Sequence, residues 1–281
     1  MRDWNLARNL PIEADFNVNR IRTVFQKLKS EKKKALIPYI TPEFPIVGTT
    51  VPLILGLEEA GANLIEVGIP FSDPIADGVT IQHSSHIAIQ NGATIHKVLE
   101  SVKEARQKSE IPVVLMGYVN PILRYGMESF LRDAVQSGVD GVIVPDLLPE
   151  ESEEWRELSS KYAVSNIFLI APTTPVQRIQ YLDSISTDFS YCVSVTGVTG
   201  ARSSHGDADA LDAFLARVKE NTQKPFVVGF GISKRDQVET MCRTADGVVV
   251  GSALLRGIEN EKTIDGVVAT AGAFFSSLQH G

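Results

Sequence analysis

The fold is indicated first by residues 64–78, which read LIEVGIPFSDPIADG. The segment begins as an apolar run typical of a buried strand and then opens, through a glycine and two prolines, into a loop. Glu66 interrupts the apolar run, and leaving a carboxylate without a partner among such neighbours costs on the order of several kcal/mol. Asp77 follows in a loop that can fold back over the strand end. We therefore expect two carboxylates to face one pocket.

The same order of elements recurs along the chain. A helix end, a turn-forming residue and a β-branched run follow one another at residues 59–65, 136–144 and 244–250. Helix-length segments separate further apolar runs at residues 35–41, 112–116, 167–170, 191–194 and 225–228. About eight such βα units predict a parallel sheet, and their number favours closure into a single (β/α)8 TIM barrel. A doubly wound open sheet is the structural alternative.

The sequence predicts one domain preceded by a short extension. At 281 residues and 43% hydrophobic content, the chain can bury one large core. Residues 19–34 carry apolar side chains at helical spacing, which predicts an N-terminal covering helix. Residues 1–18 mix charges early and contain no apolar region of a secretory signal, so we expect a flexible extension there. The barrel domain is then expected over residues 19–281.

The net charge, the cysteine count and the length of the apolar runs limit the kinds of molecule that this protein is expected to bind. The formal charge of −7 leaves no basic surplus for nucleic-acid phosphates or anionic membranes. Two cysteines, Cys192 and Cys242, are too few for a disulfide scaffold or a cysteine-based metal site, which favours a cytoplasmic protein. No run approaches the roughly 18 apolar residues of a membrane span. We expect small-molecule or protein partners, and neither nucleic acid nor membrane.

Glycines follow two late strands of the predicted barrel. Gly229 and Gly231 come after one strand, and Gly251 comes after the next, where Ser252 begins a predicted helix. Glycine lets backbone N–H groups approach an anion, and late barrel strands often hold a phosphate in this way. Glycine after a strand is also ordinary turn chemistry, so that alternative stays open. Lys234 occupies the third glycine position of G-x-G-x-x-G, which argues against a dinucleotide site.

A long loop is predicted directly after the strand at residues 191–194. Residues 194–206 read SVTGVTGARSSHG and combine small, hydroxyl and glycine residues. This composition suits a mobile lid that excludes water from a site at the strand ends. The alternative is a connection without a functional role.

Taken together, these segments resemble the α subunit family of tryptophan synthase. The matching pieces occur in family order, and the piece around Glu66 and Asp77 is highly specific. They are residues 38–41 (PYIT), 65–78, 143–146 (IVPD), 171–175 (APTTP), 197–200 (GVTG), 229–233 (GFGIS) and 251–252 (GS). The resemblance covers nearly everything after about Ile21. It implies a (β/α)8 barrel and a lyase of tryptophan biosynthesis that cleaves indole-3-glycerol phosphate into indole and glyceraldehyde 3-phosphate.

The resemblance also implies roles for individual residues. Glu66 matches the catalytic general acid and base, and Asp77 matches the carboxylate that accepts the indole N–H and stabilises developing positive charge. The positions that match substrate-binding residues are Tyr39, Leu169, Tyr191 and Thr199. The positions that match the phosphate site are Gly200, Gly231, Gly251 and Ser252. Asp146, at another strand end, is expected to have a structural or subunit-contact role.

A protein partner is implied as well. The family passes indole to a β subunit that carries pyridoxal phosphate, in an α2β2 heterotetramer, and Asp73, Pro74 and Pro149 are expected to touch that partner. No cofactor or metal is expected in this chain. The alternatives are a stand-alone lyase acting on the same substrate, another phosphate-handling barrel such as an epimerase, and a non-catalytic activating subunit. Glu66 and Asp77 argue against the last, and the lack of a histidine cluster argues against an epimerase.

Three departures from the family pattern concern loops. Val79 stands where many members have proline, and Val195 stands where some have arginine. Residues 41–45 replace a more usual small-residue turn. Val79 and Val195 lie outside the expected chemistry, so we expect them to affect the lid and the partner interface rather than the reaction.

Overall fold

A single parallel sheet forms the centre of the molecule. The computed structural model describes residues 19–193, 205–229 and 231–279, and the predicted extension over residues 1–18 lies outside them. The sheet order is β5-β4-β3-β2-β1-β9-β8-β7-β6, and every pairing is parallel. The strands are β1 (Ala35–Ile40), β2 (Ile65–Gly68), β3 (Val113–Met116), β4 (Gly141–Ile143), β5 (Ser165–Ile167), β6 (Leu169–Ile170), β7 (Ser190–Val193), β8 (Phe226–Gly229) and β9 (Gly247–Val250).

The sheet closes through its two end segments. β5 pairs with β4, whereas β6 pairs with β7, and only Phe168 separates β5 from β6. The carbonyl of Phe168 accepts the N–H of Tyr191 at 3.2 Å, so pairing with β7 begins where β5 ends. β5 and β6 are therefore two parts of one bent strand, which makes an eight-stranded closed barrel. The predicted (β/α)8 barrel is confirmed, and the open-sheet alternative is wrong.

Helices surround the barrel and alternate with its strands. They are α1 (Arg20–Ser30), α2 (Thr50–Glu59), α3 (Val79–Gln90), α4 (Ile95–Ala105), α5 (Val119–Tyr125), α6 (Met127–Ser137), α7 (Glu153–Lys161), α8 (Val176–Ile185), α9 (His205–Asn221), α10 (Arg235–Cys242), α11 (Ser252–Ile258) and α12 (Ile264–Ser277), with a short 3₁₀ helix at Pro149–Glu151. Because α9 begins at His205, the loop predicted over residues 194–206 ends earlier than expected. Residues 194–204 lie outside the described part. No helix within the described part is long and apolar enough to cross a membrane.

The predicted N-terminal helix is α1, and it covers the amino end of the barrel. Its first turn is capped by Asn19, whose side chain accepts the N–H of Arg22 at 2.8 Å. Phe25 and Leu28 face the barrel and are buried. The ring of Phe25 lies 5.4 Å from the ring of Phe189, the residue just before β7. The apolar spacing that predicted the helix is thus explained by burial against the strand starts.

A buried guanidinium joins the starts of two neighbouring strands. Arg106 donates to the carbonyl of Gly138 at 2.7 Å, to the carbonyl of Ile111 at 2.6 Å and to the carboxylate of Asp140 at 3.0 Å. The side chains of Arg106 and Asp140 are 13% and 7% exposed. These contacts connect the segments that lead into β3 and β4, so they fix the amino end of this side of the barrel.

Replacing Arg106 by methionine should therefore destabilise the fold, because the carbonyls of Gly138 and Ile111 lose a buried donor. Asp140 also loses one of its two arginine partners and keeps Arg20 and the N–H of Val113. We expect the free energy of unfolding to fall by about 3 kcal/mol in urea denaturation. The matched control is Arg132→Met, which breaks an exposed ion pair with Asp133 and should cost less than about 1 kcal/mol. Equal losses in the two variants would contradict this account.

Candidate active site

Glu66 projects into the barrel from the second position of β2. Its Cα lies opposite Tyr39 in β1 and Val114 in β3, and the residue is only 2% exposed. Its neighbours Ile65 and Val67 point to the other face of the strand because side chains alternate along it. One carboxyl group therefore lies among the apolar side chains that fill the barrel.

The surroundings of Glu66 favour its protonated form. Burial raises the pKa of its carboxyl group from 4.5 to about 8, and the nearby Asp77 carboxylate acts in the same direction. The Tyr191 hydroxyl acts in the opposite direction by hydrogen bonding to the carboxylate. Among the described residues, Oε1 of Glu66 has no hydrogen-bond partner. One oxygen of this carboxyl group is thus buried and uncommitted.

Asp77 lies in the loop between β2 and α3, which folds back as the sequence predicts. The N–H of Asp77 donates to the carbonyl of Pro74 at 3.0 Å. The hydroxyl of Tyr118 donates to Oδ2 of Asp77 at 3.0 Å and accepts the N–H of Ala76 at 2.9 Å. Burial raises the pKa of Asp77 from 3.8 to about 6, and the hydrogen bond from Tyr118 opposes that shift. The two carboxyl groups therefore lie at the same end of the barrel, close enough for the charge of Asp77 to raise the pKa of Glu66.

Tyr118 is a site residue that sequence reasoning missed. It follows β3 by two residues and is 4% exposed. Its ring lies 5.3 Å from the ring of Phe71, which belongs to the loop that carries Asp77. Tyr118 thus holds this loop through both its ring and its hydroxyl. The available signal was its position just beyond a strand end, on the strand next to the one that carries Glu66.

Two tyrosines each occupy the space above a glycine of a neighbouring strand. A Cβ atom added at Gly68 would lie 2.0 Å from the Tyr39 hydroxyl, and one added at Gly229 would lie 2.1 Å from the Tyr191 hydroxyl. Burial raises the pKa of both phenols well above the usual value. Gly229 is one of the glycines expected near an anion, and the nearest neighbour of a Cβ added there is this tyrosine. Packing inside the barrel therefore accounts for both glycines.

The other predicted substrate positions are distributed as follows. Leu169 lies in β6 with its Cα opposite Tyr191, and it is half-buried. Tyr39 is buried between the strand that carries Glu66 and β9. Thr199 lies outside the described residues. The structure therefore places Tyr39, Leu169 and Tyr191 on strands of the same barrel as Glu66.

The predicted phosphate positions follow two adjacent strands. Gly231 comes after β8 with a φ of +64°, and apart from its chain neighbours no atom of the described residues lies within 4 Å of a Cβ added there. Gly251 directly follows β9, and α11 begins at Ser252 as expected. A Cβ added at Gly251 would lie 3.2 Å from the Cβ of Tyr39, so the end of β9 packs closely on β1. Gly200 lies outside the described residues.

The remaining loops at this end are held by internal contacts. Oδ1 of Asp146 accepts the N–H of Val119 at 2.8 Å, which joins the segment after β4 to the start of α5. In the unusual turn at residues 41–45, the Glu43 carboxylate accepts the N–H of Gly48 at 2.7 Å and the hydroxyl of Thr50 at 2.6 Å. The contacts of Asp146 fit the structural role expected for it. Within the described part, no three His, Cys, Asp or Glu residues are grouped to hold a metal ion.

Comparison with known proteins gives concordant matches over nearly the whole chain. The family model described as tryptophan synthase alpha chain matches residues 25–279. The tryptophan synthase alpha chain of Chlorobium chlorochromatii is 48% identical over 260 residues, which cover 90% of this chain and 97% of that relative. The solved alpha subunit from Legionella pneumophila is 36% identical with a TM-score of 0.85, covering 93% and 97%. Tryptophan synthase from M. tuberculosis is 32% identical with a TM-score of 0.81, covering 93% and 99%.

The raised pKa of Glu66 predicts a dependence of stability on pH. The folded protein keeps this proton to about pH 8, whereas an ordinary glutamate loses it near pH 4.5. The contribution to stability is therefore full below pH 4.5 and falls as the pH rises to 8, because only the unfolded state releases the proton. Glutamine does not titrate, so the stability of Glu66→Gln relative to wild type should rise by roughly 2 kcal/mol or more between pH 5 and pH 8.

Urea denaturation at the two pH values measures this difference. The matched control is Glu157→Gln on the exposed face of α7, for which we expect no comparable rise. A stability difference between Glu66→Gln and wild type that stays constant with pH would contradict the raised pKa.

Proposed function

Because the chain belongs to the tryptophan synthase alpha chain family, we propose that Glu66 and Asp77 carry the cleavage chemistry. The protein is a lyase that splits indole-3-glycerol phosphate into indole and glyceraldehyde 3-phosphate. This retro-aldol reaction needs a proton delivered to the indole ring carbon that bears the side chain. It also needs a base for the side-chain hydroxyl and an anion beside the ring nitrogen.

One observation carries the assignment of these roles. The pKa of Glu66 is raised to about 8, and that of Asp77 to about 6. Near neutral pH, Glu66 therefore holds a proton while Asp77 is mostly ionised. Two carboxyl groups whose environments separate their pKa values in this way are suited to different roles, one as an acid and one as an anion.

The proposed sequence of steps follows from these charge states. Glu66 delivers its proton to the ring carbon, and the positive charge spreads to the ring nitrogen, whose N–H donates to Asp77. The Glu66 carboxylate then takes the proton of the side-chain hydroxyl. As that oxygen forms a carbonyl group, the bond between the ring and the side chain breaks, and its electron pair restores the aromatic indole.

The surrounding residues would orient the substrate and exclude water. Tyr118 holds the Asp77 carboxylate at 3.0 Å, so the anion is positioned before substrate binds. Tyr39, Leu169 and Tyr191 are proposed as the walls around the indole ring, because they lie on the barrel strands. Thr199, in the proposed lid, would complete the site.

For the phosphate group we propose the main chain after β8 and β9. Gly231, Gly251 and Ser252 follow adjacent strands at the end of the barrel that carries Asp77, which supports this assignment. Residues here can offer N–H groups to an anion without a charged side chain. Gly200 is proposed to add a further main-chain contact from the lid.

Substitution of the two carboxylates tests the assignment. Glu66→Gln cannot donate or accept the proton, so indole release should fall by about 10² to 10⁴. For the wild type, kcat/KM should be bell-shaped, rising with the ionisation of Asp77 near pH 6 and falling with that of Glu66 near pH 8. Asp77→Asn should lower the rate and remove the acidic limb. A Glu66→Gln variant with wild-type indole release would refute the proposal.

A protein partner is supported by the exposed apolar side chains. Within the described part, the large apolar residues that are more than half exposed are Val47, Ile75, Val79, Leu123 and Leu148. They follow β1, β2, β3 and β4, which are adjacent strands, so they lie along one side of the catalytic end of the barrel. Exposed apolar residues grouped in this way mark protein-binding surfaces.

We propose that this surface docks a β subunit that holds pyridoxal phosphate and receives the indole, in an α2β2 assembly. Ile75 and Val79 are 85% and 81% exposed and flank Asp77, so the docked partner would contact the catalytic loop directly. Asp73, Pro74 and Pro149 belong to the same loops. Docking at this position would place the outlet of the indole pocket against the partner. A cytoplasmic location is proposed with this role.

The partner proposal is tested by Leu148→Asp, measured for indole release with and without a pyridoxal-phosphate β subunit from the same source. We expect the β subunit to increase indole release by the wild type. The factor of increase should be at least about tenfold smaller for the variant, because a charge buried in the interface opposes docking. The control is Gln107→Asp, which places the same charge at an exposed position between α4 and the start of β3, at the opposite end of the barrel. Wild-type release that does not respond to the partner would instead indicate a stand-alone lyase.

A further inference from the structure

A polar cavity lies at the amino end of the barrel, opposite the catalytic end. Its volume is about 470 Å³, within the range of small-molecule sites. It lies between the second half of α7, the end of α8 and the start of β5. Arg156, Ser159, Asn166 and Ser186 are among its lining residues. None of the residues assigned to the lyase reaction belongs to it.

The side chain of Asn166 is fixed with its amide nitrogen uncommitted. The indole N–H of Trp155 donates to Oδ1 of Asn166 at 2.9 Å. Because an indole nitrogen can only donate, this contact fixes which end of the amide is the oxygen. Asn166 is 5% exposed, and its Nδ2 has no acceptor among the described residues. A buried pair of N–H donors is therefore available at the cavity wall.

A second unpartnered group lies on the same wall. Ser159 is 2% exposed, and its hydroxyl has no hydrogen-bond partner among the described residues. It shares one face of α7 with Arg156 and Ser160, because residues three and four apart lie side by side on a helix. Nε of Arg156 donates to the hydroxyl of Ser152 at 3.2 Å. Within the described part, its terminal nitrogens have no acceptor.

An acidic side chain next to the cavity, Asp188, is already paired. Asp188 accepts from Asn19 at 2.7 Å and from Arg22 at 3.1 Å, and it is also bonded to the hydroxyl of Ser165. The charge of Arg22 is therefore already paired with Asp188 at the edge of the cavity. The guanidinium of Arg156 remains as the positive charge of the wall, together with the donors of Asn166 and Ser159.

We propose that this cavity binds a small hydroxylated metabolite through its carboxylate or phosphate group. The oxyanion would accept from the unpartnered hydroxyl of Ser159 and amide of Asn166. It would also accept from the terminal nitrogens of Arg156, whose Nε is bonded to Ser152. The hydroxyls of Ser160, Ser184 and Ser186 would meet the hydroxyl groups of the ligand. Because the site lies at the other end of the barrel from Glu66, its ligand is distinct from the lyase substrate.

The chain contains a reporter for this site. Its two tryptophans are Trp4 and Trp155, so Trp4→Phe leaves one tryptophan, which is hydrogen-bonded to Asn166. In that background we would titrate citrate, and separately inorganic phosphate, at an ionic strength held constant with sodium chloride. We expect a saturable change in Trp155 fluorescence with a dissociation constant below about 1 mM. The probe that saturates at the lower concentration identifies the oxyanion.

Two cavity variants and one control complete the test. Arg156→Gln should weaken binding at least about tenfold, as loss of a charge-assisted contact requires. Ser159→Ala, which removes only an unpartnered hydroxyl, should fold normally and weaken binding less. Arg132→Gln changes an exposed arginine outside the cavity and should bind like the parent. A change that does not saturate with either probe, or one that Arg156→Gln leaves intact, would overturn the proposal and indicate a water-filled cavity.

Discussion

The burial of one carboxyl group inside a barrel of apolar strands governs the rest of the site. Glu66 is 2% exposed, and removal from water raises its pKa to about 8. A fold that places an acid there loses stability as the pH rises, because the buried group resists ionisation. The same resistance keeps a proton available near neutral pH, where an ordinary glutamate would have lost it. Stability and proton transfer are therefore two consequences of one burial.

The residues around Glu66 determine the charge and the packing of the rest of the pocket. Asp77 is less deeply buried than Glu66 and accepts a hydrogen bond from Tyr118, and its pKa is raised less than that of Glu66. The phenols of Tyr39 and Tyr191 extend over glycines of neighbouring strands, which brings two large aromatic groups beside the acid without a gap in the barrel. The shape of the pocket thus depends on Gly68 and Gly229, which leave room for the tyrosine rings, as well as on the catalytic groups.

The sequence predicted the architecture well because βα units repeat with buried strands, and the barrel was confirmed. It also identified Glu66 as a candidate site residue, because burying a carboxylate in an apolar strand costs free energy. Asp77 followed from its position in the loop after that strand. Their roles stay predictions. Tyr118 was missed because its contact with Asp77 depends on how two loops fold across a strand end. For Gly229 the sequence left two explanations open, because glycine after a strand looks the same whether it faces an anion or a tyrosine ring. Both assignments depend on which residues are neighbours in space, and the sequence alone does not give these.

The most direct test of this account is the pKa of the Glu66 side chain in the isolated protein. It can be measured by NMR with ¹³C-labelled glutamate carboxyl groups, assigned by the signal that is lost in Glu66→Gln. The account predicts a titration near pH 8 for this one carboxyl group. A titration near 4.5, the value of an ordinary glutamate, would mean that the acid is hydrated and ionised, and it would contradict the proposed proton transfer.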